Sequence, residues 1–340
     1  MIDGAGLVQE DIKMRYRGVA ALVALVLSGL VLSGLGAGAR AENAVTVRLK
    51  WFNQAQFAGF YVAQTDGYYK SAGLDVNIQP GGPDFPAVQM VAGGNEQFGV
   101  TGADQILIAR SKGVPVVALA VIYRRNPFVL FSLAKSGIKT PADYAGKKIG
   151  VKIGGNEELI YRAVLANAKI DKSQLTEIPV KFDLTPLLSG TVDVWPGYLI
   201  NEVLAAKEKG FDVDIVTPSD YGIDLYADTL FTTEKMLAEK PDLVRKFVAA
   251  TVKGWETAIA DPEAAAKITI KYGDKLTYDH ELAMMKASVP LLKPDDKPFG
   301  FMDVAGWSSA QKLLLAAGFQ KEPVDVEKAF TTKAFTTAMP

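Results

Sequence analysis

A stretch rich in aromatic and amide side chains follows the first predicted strand of this 340-residue sequence. That strand, residues 45–50, alternates apolar and polar positions and gives way to Trp51, Gln54 and Phe57. Ligands of open α/β sheets bind where strands end, so these side chains are placed to contact a small molecule. Trp51 and Phe57 could stack on a planar ring, and the Gln54 amide offers a donor and an acceptor to the ring edge.

Structural explanations compete with this functional interpretation of the stretch. Phe57 could pack on the helix that follows it, and one of Gln54 and Gln56 could be a solvated turn residue. The sequence leaves these alternatives open.

Other predicted strand ends supply further candidate ligand contacts. Some follow glycine-rich turns, where the backbone can approach a ligand closely, and one lies at the junction of two units. These candidates are Asp84, Asp104, Tyr123, Asn156, Glu157, Trp195, Tyr198 and Glu202. Local structure offers alternative roles, because Asp104 could cap a helix, Tyr123 could fill the junction and Trp195 could be buried.

The turn before the helix at residue 158 bears on the charge of the ligand. A helix N-terminus presents free N–H groups to an anion, but Glu157 and Glu158 would repel one. A sulfonate or nitrate is therefore disfavoured, and a carboxylate that accepts hydrogen bonds from ring amines or hydroxyls is favoured. The alternative is that Glu157 only complements the helix dipole.

Composition excludes several classes of function. The 37 basic and 38 acidic residues nearly balance, so neither nucleic acid nor an anionic membrane surface is expected as the main partner. Cysteine is absent, which excludes disulfides, thiolate metal sites and Cys nucleophiles. The one histidine, His280, lies in a polar helical stretch and is expected to be solvated. We expect no metal, no cofactor and no catalytic group.

Strands alternate with helices along most of the chain, which predicts doubly wound, mainly parallel sheets. From residue 229 onward the pattern predicts helices alone. The chain passes between two units near residues 123–128 and again near 217–227. The fold class is therefore α/β, with two lobes joined by a two-stranded hinge around a cleft. Lobe 1 is expected to comprise residues 42–125 and 222–340, and lobe 2 residues 126–221.

The N-terminus has the order of a secretory signal peptide. Basic residues precede an apolar run over residues 18–39, which ends in Ala39-Arg40-Ala41. We expect residues 1–41 to be a cleaved signal peptide, with Met14 as the start, and the mature protein to be periplasmic. The alternative is an uncleaved anchor, because the run is about long enough to span a bilayer.

Several motifs in order resemble the periplasmic substrate-binding proteins of ABC importers, in the nitrate/sulfonate/taurine and thiamine-pyrimidine-precursor superfamily. They are Gly59-Phe60-Tyr61-Val62-Ala63, Gly67-Tyr68-Tyr69, Gly73-Leu74-Asp75-Val76, Thr101-Gly102-Ala103-Asp104, Pro141-Ala142-Asp143-Tyr144-Ala145-Gly146-Lys147-Lys148-Ile149-Gly150-Val151 and Phe231-Thr232-Thr233. The resemblance spans about residues 45–325. It implies a type II periplasmic-binding-protein fold that captures a small-molecule solute and passes it to a membrane permease, with no chemistry of its own.

Within that superfamily, the opening stretch is similar to the branch that binds thiamine pyrimidine precursors. Trp51, Gly59 and Tyr61 match its pattern. The intervening positions that depart from it are Asn53, Gln54, Gln56 and Phe57. These departures resemble a sister branch that takes up flavins or related planar heterocycles. A related enzyme that makes the thiamine pyrimidine carries a cysteine-rich signature, which this chain lacks.

The sequence thus predicts a monomeric solute-binding protein for a planar nitrogen heterocycle, either a thiamine pyrimidine precursor or a riboflavin-like vitamin. The alternatives are a binding protein for sulfonate, nitrate or taurine, an enzyme similar to the pyrimidine synthase, and a membrane-anchored sensor lobe.

Overall fold

The structure is a computed structural model that describes residues 43–153 and 156–333. The described residues from 45 onward form one compact unit, and two five-stranded sheets lie within it. The strands are β1 (Ala44–Arg48), β2 (Asp75–Gln79), β3 (Phe98–Gly102), β4 (Val116–Val121), β5 (Phe128–Leu133), β6 (Lys148–Val151), β7 (Thr176–Pro179), β8 (Val194–Tyr198), β9 (Val213–Val216) and β10 (Asp228–Thr233).

Helices connect most of these strands. They are α1 (Ala58–Thr65), α2 (Tyr68–Ser71), α3 (Ala87–Ala92), α4 (Ala103–Ser111), α5 (Asn156–Asn167), α6 (Thr185–Leu188), α7 (Glu202–Glu208), α8 (Glu234–Glu239), α9 (Pro241–Ala260), α10 (Pro262–Thr269), α11 (Tyr278–Leu292) and α12 (Val304–Ala316). A short 3-10 turn, Ala55–Phe57, precedes α1. We call the first sheet with α1–α4 and α8–α12 the first lobe, and the second sheet with α5–α7 the second lobe.

Strand order confirms the predicted two-lobed α/β fold. The first sheet has the order β2-β1-β3-β10-β4, and the second has the order β7-β6-β8-β5-β9. Neighbouring strands that are joined through a helix are mostly parallel. The exceptions are β10, which runs antiparallel to β3 and β4, and β5, which runs antiparallel to β8 and β9. Each of these two strands enters its sheet directly from the other lobe, without the helical crossover that a parallel connection requires.

The expectation that residues from 229 onward are purely helical was wrong, because β10 lies between β3 and β4 in the first sheet. Its polar residues Asp228, Thr229 and Thr232 are fully buried. The two threonine hydroxyls donate to the carbonyl oxygens of Ala227 and Gln97, at 3.0 and 2.7 Å. Internal hydrogen bonds therefore satisfy the buried polar groups of β10, although its composition is not that of a typical core strand.

Two glycines allow α1 and α9 to pack closely. A Cβ atom on Gly254 would lie 2.2 Å from the carbonyl oxygen of Gly59, and one on Gly59 would lie 2.2 Å from the Trp255 ring. Gly59 belongs to the first turn of α1, which begins directly after the 3-10 turn at residues 55–57. The close packing therefore fixes the position of the aromatic and amide stretch against the first lobe.

Two of the sequence predictions remain predictions here. The expected signal peptide, residues 1–41, lies outside the described residues, and the exact lobe boundaries at 125/126 and 221/222 are untested. Across residues 43–153 and 156–333, none of the helices combines the length and the apolar character that a membrane crossing needs.

Candidate ligand-binding site

A pocket of about 350 Å³, including the part that opens to solvent, lies between the two lobes. Its lining from the first lobe is Lys50, Trp51, Gln54 and Gln56. Its lining from the second lobe is Lys152, Glu157, Phe182, Tyr198, Asn201 and Glu202. Both lobes therefore contribute polar and aromatic side chains to one cavity.

Aromatic rings from the two lobes meet at this pocket. The Trp51 ring lies edge-on to Phe182, with centroids 4.5 Å apart, and also edge-on to Phe52, at 5.0 Å. Phe52 and Phe182 are 55% and 43% exposed, so this aromatic cluster continues from the pocket to its mouth. A planar ring that entered here would find flat apolar surfaces from both lobes.

Lys50 is the first of two lysines in the pocket, and it joins the lobes. Its Nζ donates to the Tyr198 hydroxyl at 2.7 Å and to Asp228 Oδ1 at 3.3 Å. Burial acts to lower the pKa of Lys50, but Tyr198 and the carboxylates of Asp228 and Glu157 outweigh it and raise this pKa well above its ordinary value. Lys50 therefore stays an ammonium ion between the two lobes.

The second lysine is paired within the second lobe. Lys152 Nζ lies 2.9 Å from Glu202 Oε1, and both side chains are largely buried. The other oxygen of Glu202 accepts from the backbone N–H of Tyr198 at 2.8 Å. This arrangement fixes the start of α7 against the end of β8, and it neutralises the Lys152 charge beside the pocket.

Glu157 is the carboxylate of the pocket without a hydrogen-bonded partner. Among the described residues, its side chain makes no hydrogen bond or ion pair and interacts with Lys50 and Asp104 only through longer-range electrostatics. Because Lys50 and Lys152 are each matched by a carboxylate, the charge that remains in the pocket is negative. That favours a ligand that donates hydrogen bonds over an anionic one.

Both glutamines of the opening stretch are buried rather than one being solvated. Gln54 and Gln56 are 8% and 2% exposed, and Gln54 Nε2 donates to Gln56 Oε1 at 2.6 Å. Gln56 Nε2 in turn donates to Asp228 Oδ2 at 2.7 Å. The amides thus form an ordered chain that connects the pocket to the core of the first lobe.

The sequence matches the NMT1/THI5-like family over residues 54–265, more than half of the chain. The chain belongs to the NMT1/THI5-like family. This membership confirms the superfamily resemblance drawn from the motifs.

Curated relatives of this family member include both binding proteins and an enzyme. The formylaminopyrimidine-binding protein of Halalkalibacterium halodurans is 28% identical over 325 residues, which cover 93% of this chain and 98% of the relative. The riboflavin-binding protein RibY of Chloroflexus aurantiacus is 27% identical and covers 85% of each chain. A 4-amino-5-hydroxymethyl-2-methylpyrimidine phosphate synthase of Legionella pneumophila is 25% identical over 67% of this chain and 73% of the enzyme.

Solved structures support the fold. The periplasmic aliphatic sulphonate binding protein SsuA of Escherichia coli superposes with a TM-score of 0.69 at 14% identity, over 84% of this chain and 97% of that one. At this identity the likeness bears on architecture alone.

Five of the eleven predicted contact residues line the pocket of this NMT1/THI5-like protein. They are Trp51, Gln54, Glu157, Tyr198 and Glu202. The other six lie elsewhere. They are Phe57, Asp84, Asp104, Tyr123, Asn156 and Trp195.

Phe57 and Trp195 are both fully buried in hydrophobic clusters. Phe57 ends the 3-10 turn and packs into the first-lobe core, which was the alternative interpretation. Trp195 and Tyr198 belong to the same strand, β8, with an odd spacing of three residues. Side chains alternate between the faces of a strand, so the two residues point to opposite faces and only Tyr198 reaches the pocket.

The remaining four lie beside the cleft or away from it. Asp84 is exposed in the loop after β2. Tyr123 is buried and donates to the Ser288 hydroxyl at 2.9 Å, as expected of a residue that fills the lobe junction. Asp104 and Asn156 are both buried, and neither lines the pocket. Burial raises the pKa of Asp104, against a hydrogen bond from Gln105 and the nearby Lys50.

Sequence reasoning missed four pocket residues and the carboxylate behind them, and it left the role of Gln56 open. The missed lining residues are Lys50, Lys152, Phe182 and Asn201, and the carboxylate is Asp228. Lys50 is the last residue of the predicted strand 45–50, and Lys152 directly follows β6, so the strand-end rule already used for Trp51 could have found them. The cleft therefore holds two lysines, and both are paired with carboxylates.

The single histidine also differs from expectation, because it has a partner in the other lobe. His280 Nδ1, on α11, lies 2.8 Å from Glu208 on α7, and the His280 side chain is only 20% exposed. The His280–Glu208 pair is thus a second connection between the lobes, in addition to Lys50–Tyr198.

We expect the substitution Glu281→Gln to change how the free energy of unfolding depends on pH. Glu281 is 1% exposed and accepts from the backbone N–H of Ala55 at 2.5 Å. Burial raises the pKa of Glu281 above its ordinary value, against the hydrogen bond from Ala55. Folding therefore favours the protonated carboxyl. Its contribution to stability is complete below the unfolded pKa of about 4.3 and is lost as pH rises through the folded pKa.

Thermal melts of both proteins at about pH 4 and about pH 7, on either side of the ordinary carboxyl value, test this prediction. The wild type should lose stability relative to Glu281→Gln as pH rises. A stability difference that is constant, or that grows in favour of the wild type, contradicts it.

Proposed function

We propose that this protein is an extracytoplasmic solute-binding protein that captures an amino-substituted pyrimidine in the interlobe cleft. The observation that carries the proposal is the unpaired Glu157 carboxylate beside the Trp51–Phe182 aromatic pair. Exocyclic and ring N–H groups of such a ligand can donate to the carboxylate while the ring packs on the aromatic surfaces. The formylaminopyrimidine-binding relative adds support from similarity over nearly the whole chain.

Charge in the pocket argues against a sulfonate, nitrate or taurine ligand. Both lysines that could attract an anion are already paired, Lys50 with Asp228 and Lys152 with Glu202. An anion would have to displace one of these carboxylates and would also meet Glu157. Removing the partner of a buried charge costs several kcal/mol, of the order of 3–5.

The same side chains favour binding over catalysis. An amine nucleophile must lose its proton, which requires a lowered pKa, whereas the pKa of Lys50 is raised. Burial likewise raises the pKa of the Tyr198 phenol, so this hydroxyl stays protonated near neutral pH. The pocket therefore offers fixed hydrogen-bonding groups and no activated nucleophile among them.

A flavin is the second candidate ligand. The exposed Phe52 and Phe182 extend the aromatic surface beyond the pocket, which suits a ring system larger than one pyrimidine. The riboflavin-binding relative points to the same class. The two candidates differ in size, since a pyrimidine would lie inside the closed pocket and a tricyclic ring would keep the mouth open.

Calorimetric titration of the purified protein tests these proposals. We expect saturable binding of 4-amino-5-hydroxymethyl-2-methylpyrimidine and recovery of that compound unchanged by mass spectrometry. Riboflavin is titrated in parallel, and taurine and nitrate serve as anionic comparisons. Binding of taurine or nitrate alone would overturn the ligand class, and conversion of the pyrimidine would overturn the non-enzymatic role.

The proposal extends to location and partner. A solute-binding protein of this fold would deliver its ligand to an ABC permease in the membrane, as a monomer outside the cytoplasm. The mass of the protein that expressing cells export tests the proposed location. A chain that begins after residue 41 supports export by a cleaved signal.

A further inference from the structure

Three side chains, Asp228, Gln56 and Gln54, form a hydrogen-bonded line that we call the amide relay. Their exposed fractions are 0%, 2% and 8%. Gln56 Nε2 donates to Asp228 Oδ2 at 2.7 Å, and Gln54 Nε2 donates to Gln56 Oε1 at 2.6 Å. Asp228 does not line the pocket, and Gln54 does.

The chemistry of Asp228 determines the orientation of both amides. A carboxylate only accepts hydrogen bonds, so Gln56 must turn its NH₂ group toward Asp228. The carbonyl oxygen of Gln56 then faces Gln54, so Gln54 must donate a hydrogen bond to it from its own NH₂ group. Gln54 Oε1 has no hydrogen-bond partner among the described residues. It is also not one of the fully enclosed polar atoms that lack a partner, so part of its surface is accessible. It therefore opens to the pocket as an acceptor.

Lys50 fixes the other end of the relay. It donates to Asp228 Oδ1 at 3.3 Å, while Oδ2 serves Gln56. An ammonium group has donors only, so whatever replaces Asp228 must keep an acceptor on the Lys50 side. Each oxygen of Asp228 thus accepts a hydrogen bond from a different partner, Oδ1 from Lys50 and Oδ2 from Gln56.

We propose that Asp228 is a specificity-determining, positioning residue that selects ligands by setting Gln54 as an acceptor through the amide relay. The inference rests on the proposed function and deepens it. The pocket presents acceptors at Gln54 and Glu157 and a donor at Lys50. Its complement is a heteroaromatic ring that carries an amino group next to a ring nitrogen with a free lone pair.

The substitution Asp228→Asn should reverse the relay. The asparagine oxygen must face Lys50, so its NH₂ group takes the place of Oδ2 and faces Gln56. Gln56 then turns its oxygen to this group and its NH₂ to Gln54, and Gln54 presents a donor to the pocket. One buried substitution, without ligand contact, would exchange an acceptor for a donor at the ring edge.

Two matched probes measure the effect, 4-amino-5-hydroxymethyl-2-methylpyrimidine and its 4-oxo analogue. A misplaced donor or acceptor in a buried site costs about 1–3 kcal/mol, so the wild type should prefer the amino probe roughly tenfold to a hundredfold. Asp228→Asn should reverse this preference. Asp104→Asn is the matched control, because it also removes a carboxylate near Lys50 but leaves the relay intact. It should keep the wild-type preference.

Gln56→Met provides a second variant that keeps the Lys50–Asp228 pair. It cuts the relay, so Gln54 can adopt either orientation and the amino-to-oxo preference should fall toward one. An unchanged preference in both Gln56→Met and Asp228→Asn, with the amino probe still bound, would overturn the relay and leave the proposed function standing.

A neutron structure of the ligand-free wild type tests the relay without any ligand. We expect deuterium atoms on the nitrogen of Gln56 that faces Asp228 and on the nitrogen of Gln54 that faces Gln56. The reverse arrangement would overturn the proposal. If the map shows the expected arrangement and no pyrimidine binds, the proposed function fails and the relay remains.

Discussion

The substitution Glu157→Gln is expected to weaken binding of the amino-substituted pyrimidine by roughly tenfold to a hundredfold, because a hydrogen bond to a charged group contributes about 1.5–3 kcal/mol. Glu157 lines the pocket, and no described residue pairs with its carboxylate. The amide also replaces one of two acceptor oxygens with a donor. Since the substitution breaks no contact within the described chain, the melting temperature of the ligand-free protein should not fall.

Glu158→Gln is the matched control for this prediction. Glu158 is the next residue on α5 but pairs with Arg162, one helical turn away at 3.0 Å, and does not line the pocket. A pair one helical turn apart contributes about 0.3–0.5 kcal/mol, so stability should fall slightly and affinity should not change. Calorimetry and thermal melting of both variants separate the two effects. Equal affinity losses in the two variants, or none in either, would contradict the role of Glu157.

Hydrophobic patterning predicted the two-lobed fold because most strands of both sheets are short apolar or alternating runs between helices. It failed at β10, which reads Asp-Thr-Leu-Phe-Thr-Thr. This strand forms because β3 and β4 pair with it on both sides, and because the buried Asp228 and Thr232 find partners far away in the sequence. Neither condition can be read from a local pattern.

Partial success at the site has related physical causes. Trp51, Gln54 and Glu157 were recognised because they follow strand ends, where the fold places ligands. Trp195 could have been separated from Tyr198 by the two-residue period of the strand, which the sequence does contain. Asp228 could not have been found, because its role depends on β10 and on a hydrogen bond to Gln56 across 172 positions of sequence.

Three contacts between side chains cross the cleft and join the two lobes. Lys50 meets Tyr198, Trp51 meets Phe182, and His280 meets Glu208. Each pair joins one lobe to the other, so separating the lobes would break all three. The pocket-lining residues Trp51 and Tyr198 therefore also hold the two lobes together, and a ring bound there would add to contacts that favour this arrangement of the lobes.

The second large effect is expected at the packing of α1 against α9, where Gly254→Ala should lower the free energy of unfolding by about 1–3 kcal/mol. Alanine normally favours a helix interior over glycine by up to about 1 kcal/mol, so the expected sign is opposite to the helix propensity. The reason is steric. The added Cβ would lie 2.2 Å from the Gly59 carbonyl oxygen and 2.6 Å from the Ala63 Cβ atom.

Relief of this clash requires α9 to move away from α1, because the Gly59 carbonyl oxygen belongs to rigid helix backbone. Overpacking of this kind costs about 1–3 kcal/mol and occasionally more. Since α1 continues from the turn that holds Gln54 and Gln56, the same movement should weaken ligand binding in whatever fraction remains folded. Urea denaturation measures the stability loss, with Glu256→Ala as control, because Glu256 is exposed on the same helix and should change stability by less than about 0.5 kcal/mol. A Gly254→Ala protein as stable as the wild type would show that the two helices lie farther apart in solution than these distances require.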